Sequence, residues 1–263
     1  MRKFSKDLKT IVIKVGSSSI THKNGIINLQ KIDDLCYELA NLKNHGYDVI
    51  LVSSGSIAAG AKRLDLKERP RDTASKQAAS SVGQVALMNT YNRTLNQYGY
   101  NAAQILLTKQ IERDEAMRGN AKNTFKKLGL FNVIPIVNEN DTISTYEIKY
   151  GDNDTLSAVV SRLVEADLLI LLSDIDGLYT DDPRNNPNAE LLSEVNDLSK
   201  VEHMAKETDS NVGVGGMITK IRAARLCMEK NIDVIIANGE EMKILRNIIK
   251  GEDIGTIFKN KTK

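Results

Sequence analysis

Several short clusters in this chain combine small residues, amides and charges in ways suited to holding anions and polar ligands. Lys14-Val15-Gly16-Ser17-Ser18-Ser19 closes an apolar run. Small residues there let backbone N–H groups come close to an anion, and the lysine adds a point charge, as a phosphate cradle requires. Ser53-Ser54-Gly55-Ser56 opens the small-residue stretch Ile57-Ala58-Ala59-Gly60-Ala61. A helix beginning there offers unpaired N–H donors to a carboxylate or phosphate. Ala58, Ala59 and Gly60 equally suit close packing of that helix against a sheet, and both readings can hold. Gly213-Val214-Gly215-Gly216-Met217-Ile218-Thr219-Lys220 is a second glycine-rich turn at a helix start, with a lysine one turn in that reaches back over a bound phosphate.

Two acid and amide clusters complete the set. Asn138-Glu139-Asn140-Asp141 follows the apolar run Val133-Ile134-Pro135-Ile136-Val137, and Gly151-Asp152-Asn153-Asp154 precedes an amphipathic helix beginning near Thr155. Each taken singly is ordinary turn and N-cap chemistry. Together they suit a zwitterion such as an amino acid, whose ammonium needs acceptors and whose carboxylates need donors.

These clusters need elements to position them. Thr10 to Val15, Asp48 to Ser53, Ala102 to Leu107, Val133 to Val137, Leu168 to Leu172 and Val234 to Ala237 are dense in Ile, Val and Leu and read as strands buried on both faces. Helical patterns lie between them. Leu29, Ile32, Leu35, Cys36, Leu39 and Leu42 recur at three and four, with Asn28 as N-cap and Gly46 as stop. Alternating strands and helices without tight Asn-Gly hairpins predict an α/β fold with a mainly parallel sheet covered by helices on both faces. Ligands of such sheets bind beyond the carboxyl ends of the strands. The loops from Lys14, Ser53, Asn138 and Ser173 all sit there. A two-lobe division is expected near Asp167, and Asp181 to Asn188 reads as a connection.

Composition narrows the classes. The 263 residues are 41% hydrophobic and 27% charged, the mixture of an ordinary globular protein. Lys and Arg total 36 against 34 acids, a net charge of +2, and no basic stripe is interleaved with aromatics, which argues against nucleic acid as a partner. The basic ends, Met1 to Lys9 and Lys259 to Lys263, read as solvated termini. The start lacks the apolar region of a signal peptide, and no stretch approaches the roughly 20 apolar residues that cross a bilayer, so a soluble, cytoplasmic chain is expected. Cys36 and Cys227 fall inside helical patterns with no C-x-x-C spacing, which makes them apolar core residues rather than a disulfide or zinc ligands. His22, His45 and His203 lack acid or cysteine neighbours suited to a triad or a metal site. No Walker loop, H-R-D motif or G-x-G-x-x-G follows the first strand.

These residues, spread over nearly the whole chain, resemble those of the amino acid kinase family, in its glutamate 5-kinase branch. The resemblance is carried by the Lys14, Ser53, Asn138 and Gly151 clusters, by Ala74-Ser75-Lys76-Gln77 and Val82-Gly83-Gln84, by Glu147 to Tyr150, Gly177-Leu178-Tyr179-Thr180 and Asp182-Pro183-Arg184, and by Gly215-Gly216-Met217. It implies an open three-layer αβα sandwich with an N-terminal substrate lobe (1–167) and a C-terminal nucleotide lobe (168–263). It also implies transfer of the γ-phosphoryl group of ATP, with Mg²⁺, to the γ-carboxylate of glutamate, on the way to proline. By the same resemblance Ser54, Asp141 and Asn153 contact glutamate. Lys14, Ser173, Asp174 and Val214, Gly215, Gly216, Met217, Ile218, Thr219 and Lys220 contact ATP. Lys14 and Lys220 flank the phosphoryl group in transit, and Asp154 organises the two lysines.

Ser173 stands where a threonine is common in the family, as does Val214, and each change alters one nucleotide hydrogen bond while leaving the backbone cradle. Many relatives carry a further C-terminal PUA domain, whereas this sequence reads as a short form ending at Lys263. A homo-oligomer, dimer or tetramer, and coupling to the next enzyme of proline synthesis are further implications. The sheet and nucleotide loops alone do not separate glutamate from N-acetylglutamate, aspartate, carbamate or UMP as acceptor, but the two acid and amide clusters favour free glutamate. A sensor that binds both ligands without turnover is the rival outside enzymes, and retention of both lysines argues against it.

Overall fold

The computed structural model describes residues 1–144, 152–183, 185–201 and 216–260. The chain divides into two compact units, one formed by Met1–Lys14 with Gly151–Lys263 and the other by Val15–Tyr150.

In the first unit, Thr10–Val15 (β1) pairs in parallel with Leu168–Ser173 (β5), matching Ile11 with Leu168 and Lys14 with Leu171. Asp233–Asn238 (β7) continues the parallel set beside β5. Thr256–Phe258 (β8) then runs antiparallel to β7, and the two-residue Glu194–Val195 (β6) pairs with β8, giving the order β1-β5-β7-β8-β6. The fully buried β5, Leu-Leu-Ile-Leu-Leu-Ser, is the continuous apolar run expected of a strand covered on both faces.

Asp167 lies inside this unit rather than at a boundary. Its Oδ2 accepts from the backbone N–H of Lys9 (2.7 Å) and Thr10 (2.8 Å), and its Oδ1 pairs with Lys6 (3.0 Å). The β1 strand therefore belongs with the C-terminal half, because its pairing partner is β5. The N-terminal tail is anchored through Arg2 and Ser5, while Met1, Lys3, Lys6, Asp7 and Lys9 remain exposed as expected. The Arg2 side chain is 4% exposed and donates to the carbonyls of Ile254 (2.6 Å), Ser193 (3.0 Å) and Gly255 (3.0 Å) while pairing with Asp253. Ser5 donates to the buried Asp233 through its N–H and its hydroxyl. A guanidinium offers five donors in a fixed fork, and the turn around Asp253 supplies matching acceptors.

In the second unit, Asp48–Ser53 (β2), Ala102–Leu107 (β3) and Ile134–Glu139 (β4) lie in the order β3-β4-β2, all parallel. The β3 strand differs from expectation in being largely half-exposed, because it ends the strand order and has a neighbour on one side only. The helices here are Ser17–Ile20 (α1), Leu29–Asn44 (α2), Ser56–Arg63 (α3), Thr73–Gln97 (α4) and Glu115–Leu130 (α5). Asn28 caps α2 by accepting from Lys31 N–H at 3.1 Å, and Gly46 beyond its end takes φ +88°.

Helices α3 and α4 cross backbone to backbone. A Cβ on Gly60 would lie 1.7 Å from the Ala79 carbonyl oxygen, and one on Gly83 would lie 1.8 Å from that of Ser56. The small-residue stretch of α3 is thus spent on a partner helix through Gly60, not on the sheet alone. Cys36 and Cys227 are both buried free thiols. Burial pushes the Cys227 thiol up to about 12, which keeps it protonated and apolar.

Candidate active site

The first unit gathers three of the expected residues around one carboxylate. Lys14, near the carboxyl end of β1, places Nζ 2.7 Å from Asp154 Oδ1. Asp154 belongs to the first turn of Asn153–Leu163 (α6), whose N-cap Asp152 accepts from Thr155 N–H at 2.7 Å. Lys220 and Thr219 belong to the first turn of Met217–Met228 (α7). Lys220 Nζ lies 3.2 Å from Asp154 Oδ2, and Thr219 Oγ1 lies 2.7 Å from the same oxygen. The last helix of this unit, Ile244–Ile249 (α8), takes no part.

Local sequence explains each placement. A parallel strand ends in a loop at its carboxyl edge, so Lys14 emerges there. Asp152 caps α6 and leaves Asp154 two positions in, where the helix dipole favours a negative charge. Gly216 caps α7 and, being a glycine, makes no side-chain hydrogen bond to its first turn, which suits an anion-binding helix start.

The electrostatics follow from burial. Asp154 is 1% exposed, Lys14 8% and Lys220 4%. Burial alone pushes the Asp154 carboxyl up, but the charges of Lys14 and then Lys220, with hydrogen bonds from Lys14 and Thr219, outweigh it, so the group titrates below the usual aspartate range. Asp152 moves the other way, raised chiefly by burial and further by the Asp154 charge. Two ammonium groups face the one carboxylate of Asp154, and an approaching polyanion is a natural complement to such a pair.

The other nucleotide candidates are spread along the same unit. Ser173 ends β5 and donates to Asp174 Oδ1 at 3.1 Å. Gly216, Met217 and Ile218 form the start of α7, with Ile218 exposed. Val214 and Gly215 lie outside the described residues, as does His203. Beyond the expected set, Asp176 accepts from Asn238 Nδ2 (2.8 Å) and from the Tyr179 hydroxyl (3.0 Å), joining the carboxyl ends of β5 and β7.

The second unit builds a separate polar cluster. Gly55, at φ +95°, turns the chain from β2 into α3 in a conformation only glycine adopts without strain, and Ser54 precedes it. Asp141 lies in the turn after β4 and is 8% exposed. Its Oδ2 accepts from Ser80 Oγ at 2.8 Å, and Ser80 Oγ lies 3.1 Å from Ser56 Oγ. Asn138 Nδ2 donates to Gln84 Oε1 (3.1 Å), and Ser144 Oγ donates to Glu139 Oε1 (3.1 Å). Gln77 Nε2 donates to the Ser144 carbonyl (3.2 Å), and the Tyr91 hydroxyl meets Ser53 Oγ at 2.9 Å.

Of the partners Gln77, Ser80, Gln84 and Tyr91, sequence reasoning quoted Gln77 and Gln84 only as carriers of the resemblance, with no role, and did not name Ser80 or Tyr91. All stand on α4 at spacings of three, four and seven, so they form one stripe of a helix face. A polar stripe at helical period was the available signal, masked by the alanines and serines between. Asn153 is the first residue of α6, within the first unit.

A doubly lysine-faced carboxylate between the starts of two helices, in an α/β chain of parallel strands, is the equipment of a phosphoryl-group enzyme. The chain belongs to the amino acid kinase family, whose model matches residues 9–238. Among its relatives, the glutamate 5-kinase of Clostridium perfringens is 48% identical over 263 residues, with 98% of each chain covered. The glutamate 5-kinase of Carboxydothermus hydrogenoformans is 49% identical over 268 residues, covering 100% of this chain and 71% of that one. Among solved structures, UMP kinase from Bacillus anthracis superposes with a TM-score of 0.66 at 15% identity over 98% of both chains, a likeness of fold. Among the described residues, no helix is long and apolar enough to cross a membrane.

Proposed function

We propose that this chain is a glutamate 5-kinase, transferring the γ-phosphoryl group of MgATP to the γ-carboxylate of L-glutamate to give L-glutamyl 5-phosphate and ADP, the first step of proline biosynthesis. The observation that carries the chemistry is the pair of buried lysines, Lys14 and Lys220, held on opposite oxygens of Asp154. Relatives named glutamate 5-kinase, 48 to 49% identical over nearly the full chain, support the choice of acceptor.

The γ-carboxylate is ionised at neutral pH, so no general base is needed. One of its oxygens forms the new bond to the γ-phosphorus, the bond from that phosphorus to the bridging oxygen breaks, and ADP leaves with the electron pair. The protein's task is to offset the repulsion of two anions. Lys14 and Lys220 supply that charge, and Asp154 keeps their ammonium groups at fixed positions so that little reorganisation accompanies transfer. The first turn of α7 and the Ser173-Asp174 pair at the end of β5 hold the nucleotide. Ser54 and Asp141 hold glutamate, Asp141 taking the ammonium, and Asn153 supplies an amide to the same substrate. Magnesium enters as part of the substrate MgATP, and no cluster of three or more His, Cys, Asp or Glu side chains suited to a resident ion is found among the described residues. By family likeness the chain works as a dimer or tetramer in the cytoplasm, with its acyl phosphate product passed to the next enzyme.

Incubation of the pure protein with MgATP and a panel of acceptors, with hydroxylamine trapping of acyl phosphate, tests this reading. Glutamate-dependent hydroxamate and ADP are expected. Their absence, or a preference for N-acetylglutamate, aspartate, carbamate or UMP, overturns it.

A further inference from the structure

We propose that Thr256 is a positioning residue for the nucleotide, holding from behind the loop that carries Asp174; this rests on the reading of Ser173 and Asp174 as nucleotide contacts. Beyond that loop the chain forms a short antiparallel pairing in which Tyr179 is bridged to Leu191. Leu192 N–H donates to the Leu178 carbonyl (2.8 Å), and Thr180 N–H donates to the Glu190 carbonyl (2.9 Å). An antiparallel ladder exchanges two bonds across a hydrogen-bonded pair, so Leu178 N–H would ordinarily donate back to the Leu192 carbonyl. A side chain stands in that place instead. The Thr256 hydroxyl accepts from Leu178 N–H at 2.8 Å and donates to the Leu192 carbonyl at 2.5 Å, the nearer of two carbonyls, that of Leu178 lying 3.5 Å away. One proton and one lone pair thus satisfy both backbone groups and tie two segments of the chain to β8.

The anchor itself is firmly placed. Thr256 is fully buried, opens β8 and is registered against Ile236 of β7, while Arg2 donates to the carbonyls of Ile254 and Gly255 just before it. Gly177 passes so close that a Cβ there would lie 2.6 Å from Thr256 Oγ1 and 2.8 Å from Leu191 Cδ1. The front of the loop is held separately at the carboxyl ends of β5 and β7, where Gly239 N–H donates to the Ser173 carbonyl (2.7 Å) and Asn238 Nδ2 to Asp176 Oδ1 (2.8 Å). Asp174 therefore lies on a loop fixed at both ends, and Thr256 fixes the rear one. Without the hydroxyl the rear end samples other positions, and apparent affinity falls with the fraction of loops still competent to bind. Such a loss weakens ground-state and transition-state binding alike, so it acts on KM and leaves kcat.

Steady-state kinetics of the full chain, with thermal melts alongside, decide it. Thr256→Val keeps the branched shape and removes the hydroxyl; it is expected to raise the ATP KM by about five- to tenfold while kcat and the glutamate KM stay within about twofold. Thr256→Ser keeps the hydroxyl and should stay within about twofold of the parent on all three. A threonine that only supports packing would lower the thermal midpoint of the valine variant and leave its ATP KM unchanged. That outcome overturns the proposal, as does a serine variant as impaired as the valine one. Should the valine variant fail to fold, Thr256→Cys, which keeps a weaker donor, is expected to raise the ATP KM by about threefold, and no rise overturns the proposal. Asp174→Ala is the arm for the parent reading. An unchanged ATP KM in that variant overturns the nucleotide assignment and the proposal together, whereas a raised one beside an unaffected Thr256→Val overturns the proposal alone.

Discussion

Lys14 and Lys220, 206 positions apart in the chain, meet on opposite oxygens of Asp154, at 2.7 Å from Oδ1 and 3.2 Å from Oδ2. Neither lysine can leave without exposing the other to an altered field, because all three groups are less than a tenth exposed and Asp154 is a counter-charge to both lysines. The trio is therefore a unit, and its members should respond differently to removal according to which charge is lost.

Lys14→Ala removes a positive charge that opposes the repulsion of two anionic reactants. A fall in kcat of about 10² to 10⁴ is expected, roughly 3 to 5 kcal/mol of transition-state stabilisation, with modest change in either KM. Single-turnover phosphoryl transfer measures it, and near-normal turnover would remove Lys14 from the reacting centre.

Asp154→Asn takes away the shared carboxylate and leaves two buried ammonium groups facing a neutral amide. Breaking a buried ion pair from one side costs about 3 to 5 kcal/mol, so the variant should unfold at markedly lower urea, and kcat should fall with it. Equilibrium urea unfolding without nucleotide is the measurement. A stable variant would mean that the lysines re-solvate at no cost.

The same carboxylate sets an acid limit. Because its folded pKa is depressed, Asp154 stabilises the fold at pH above the ordinary aspartate range of about 4, and that contribution is lost as pH falls through the lower folded value. Asp152, with a raised pKa, contributes the opposite sign above that range. The stability difference between the parent and Asp154→Asn should therefore be largest near neutrality and shrink towards about pH 3, followed by urea midpoints across that range. A difference that grows on acidification would contradict the assignment.

Asp141→Ala should act on one substrate only. Loss of the ammonium acceptor raises the glutamate KM by about two orders of magnitude, in line with losing a charge-assisted hydrogen bond and its charge together, and leaves the ATP KM close to the parent's. A change confined to ATP would refute the placement of glutamate on this unit.

Gly83→Ala tests the framework beneath the acceptor cluster. The new Cβ would start 1.8 Å from the Ser56 carbonyl oxygen, so α3 and α4 must separate, at a cost of about 1 to 3 kcal/mol or more. The expected signature is a thermal midpoint lowered by several degrees together with a raised glutamate KM. Gly119→Ala, in α5, where nothing lies within 4 Å of the added atom and φ is not positive, is the control for local crowding.

The strands were legible in the sequence because burial on both faces needs runs of Ile, Val and Leu that few other elements tolerate. All six runs named from the sequence begin and end within two residues of the strands formed, and β3 differs only in its exposure. The short β6 and β8 had no such signal, since two or three residues cannot show a period. Asn28 was readable as a cap because capping is local chemistry, whereas the helix expected near Thr155 begins two residues earlier, at Asn153, with Asp152 as its cap. The docked Arg2 and the inward Asp167 were not readable, because an ion's partners are chosen by the fold.

What the sequence by itself determined is which residue types stand where a strand gives way to a loop or a helix begins: Lys14, Ser54, Asp141, Asp154 and Lys220. That much follows from short-range periodicity and turn chemistry. Only the tertiary structure decided that Lys14 and Lys220 share Asp154, that Asp141 answers to Ser80, and that β1 belongs with the C-terminal half. Strand pairing and helix crossing bring together positions tens to hundreds of residues apart, and no local pattern encodes which distant partner completes a buried charge.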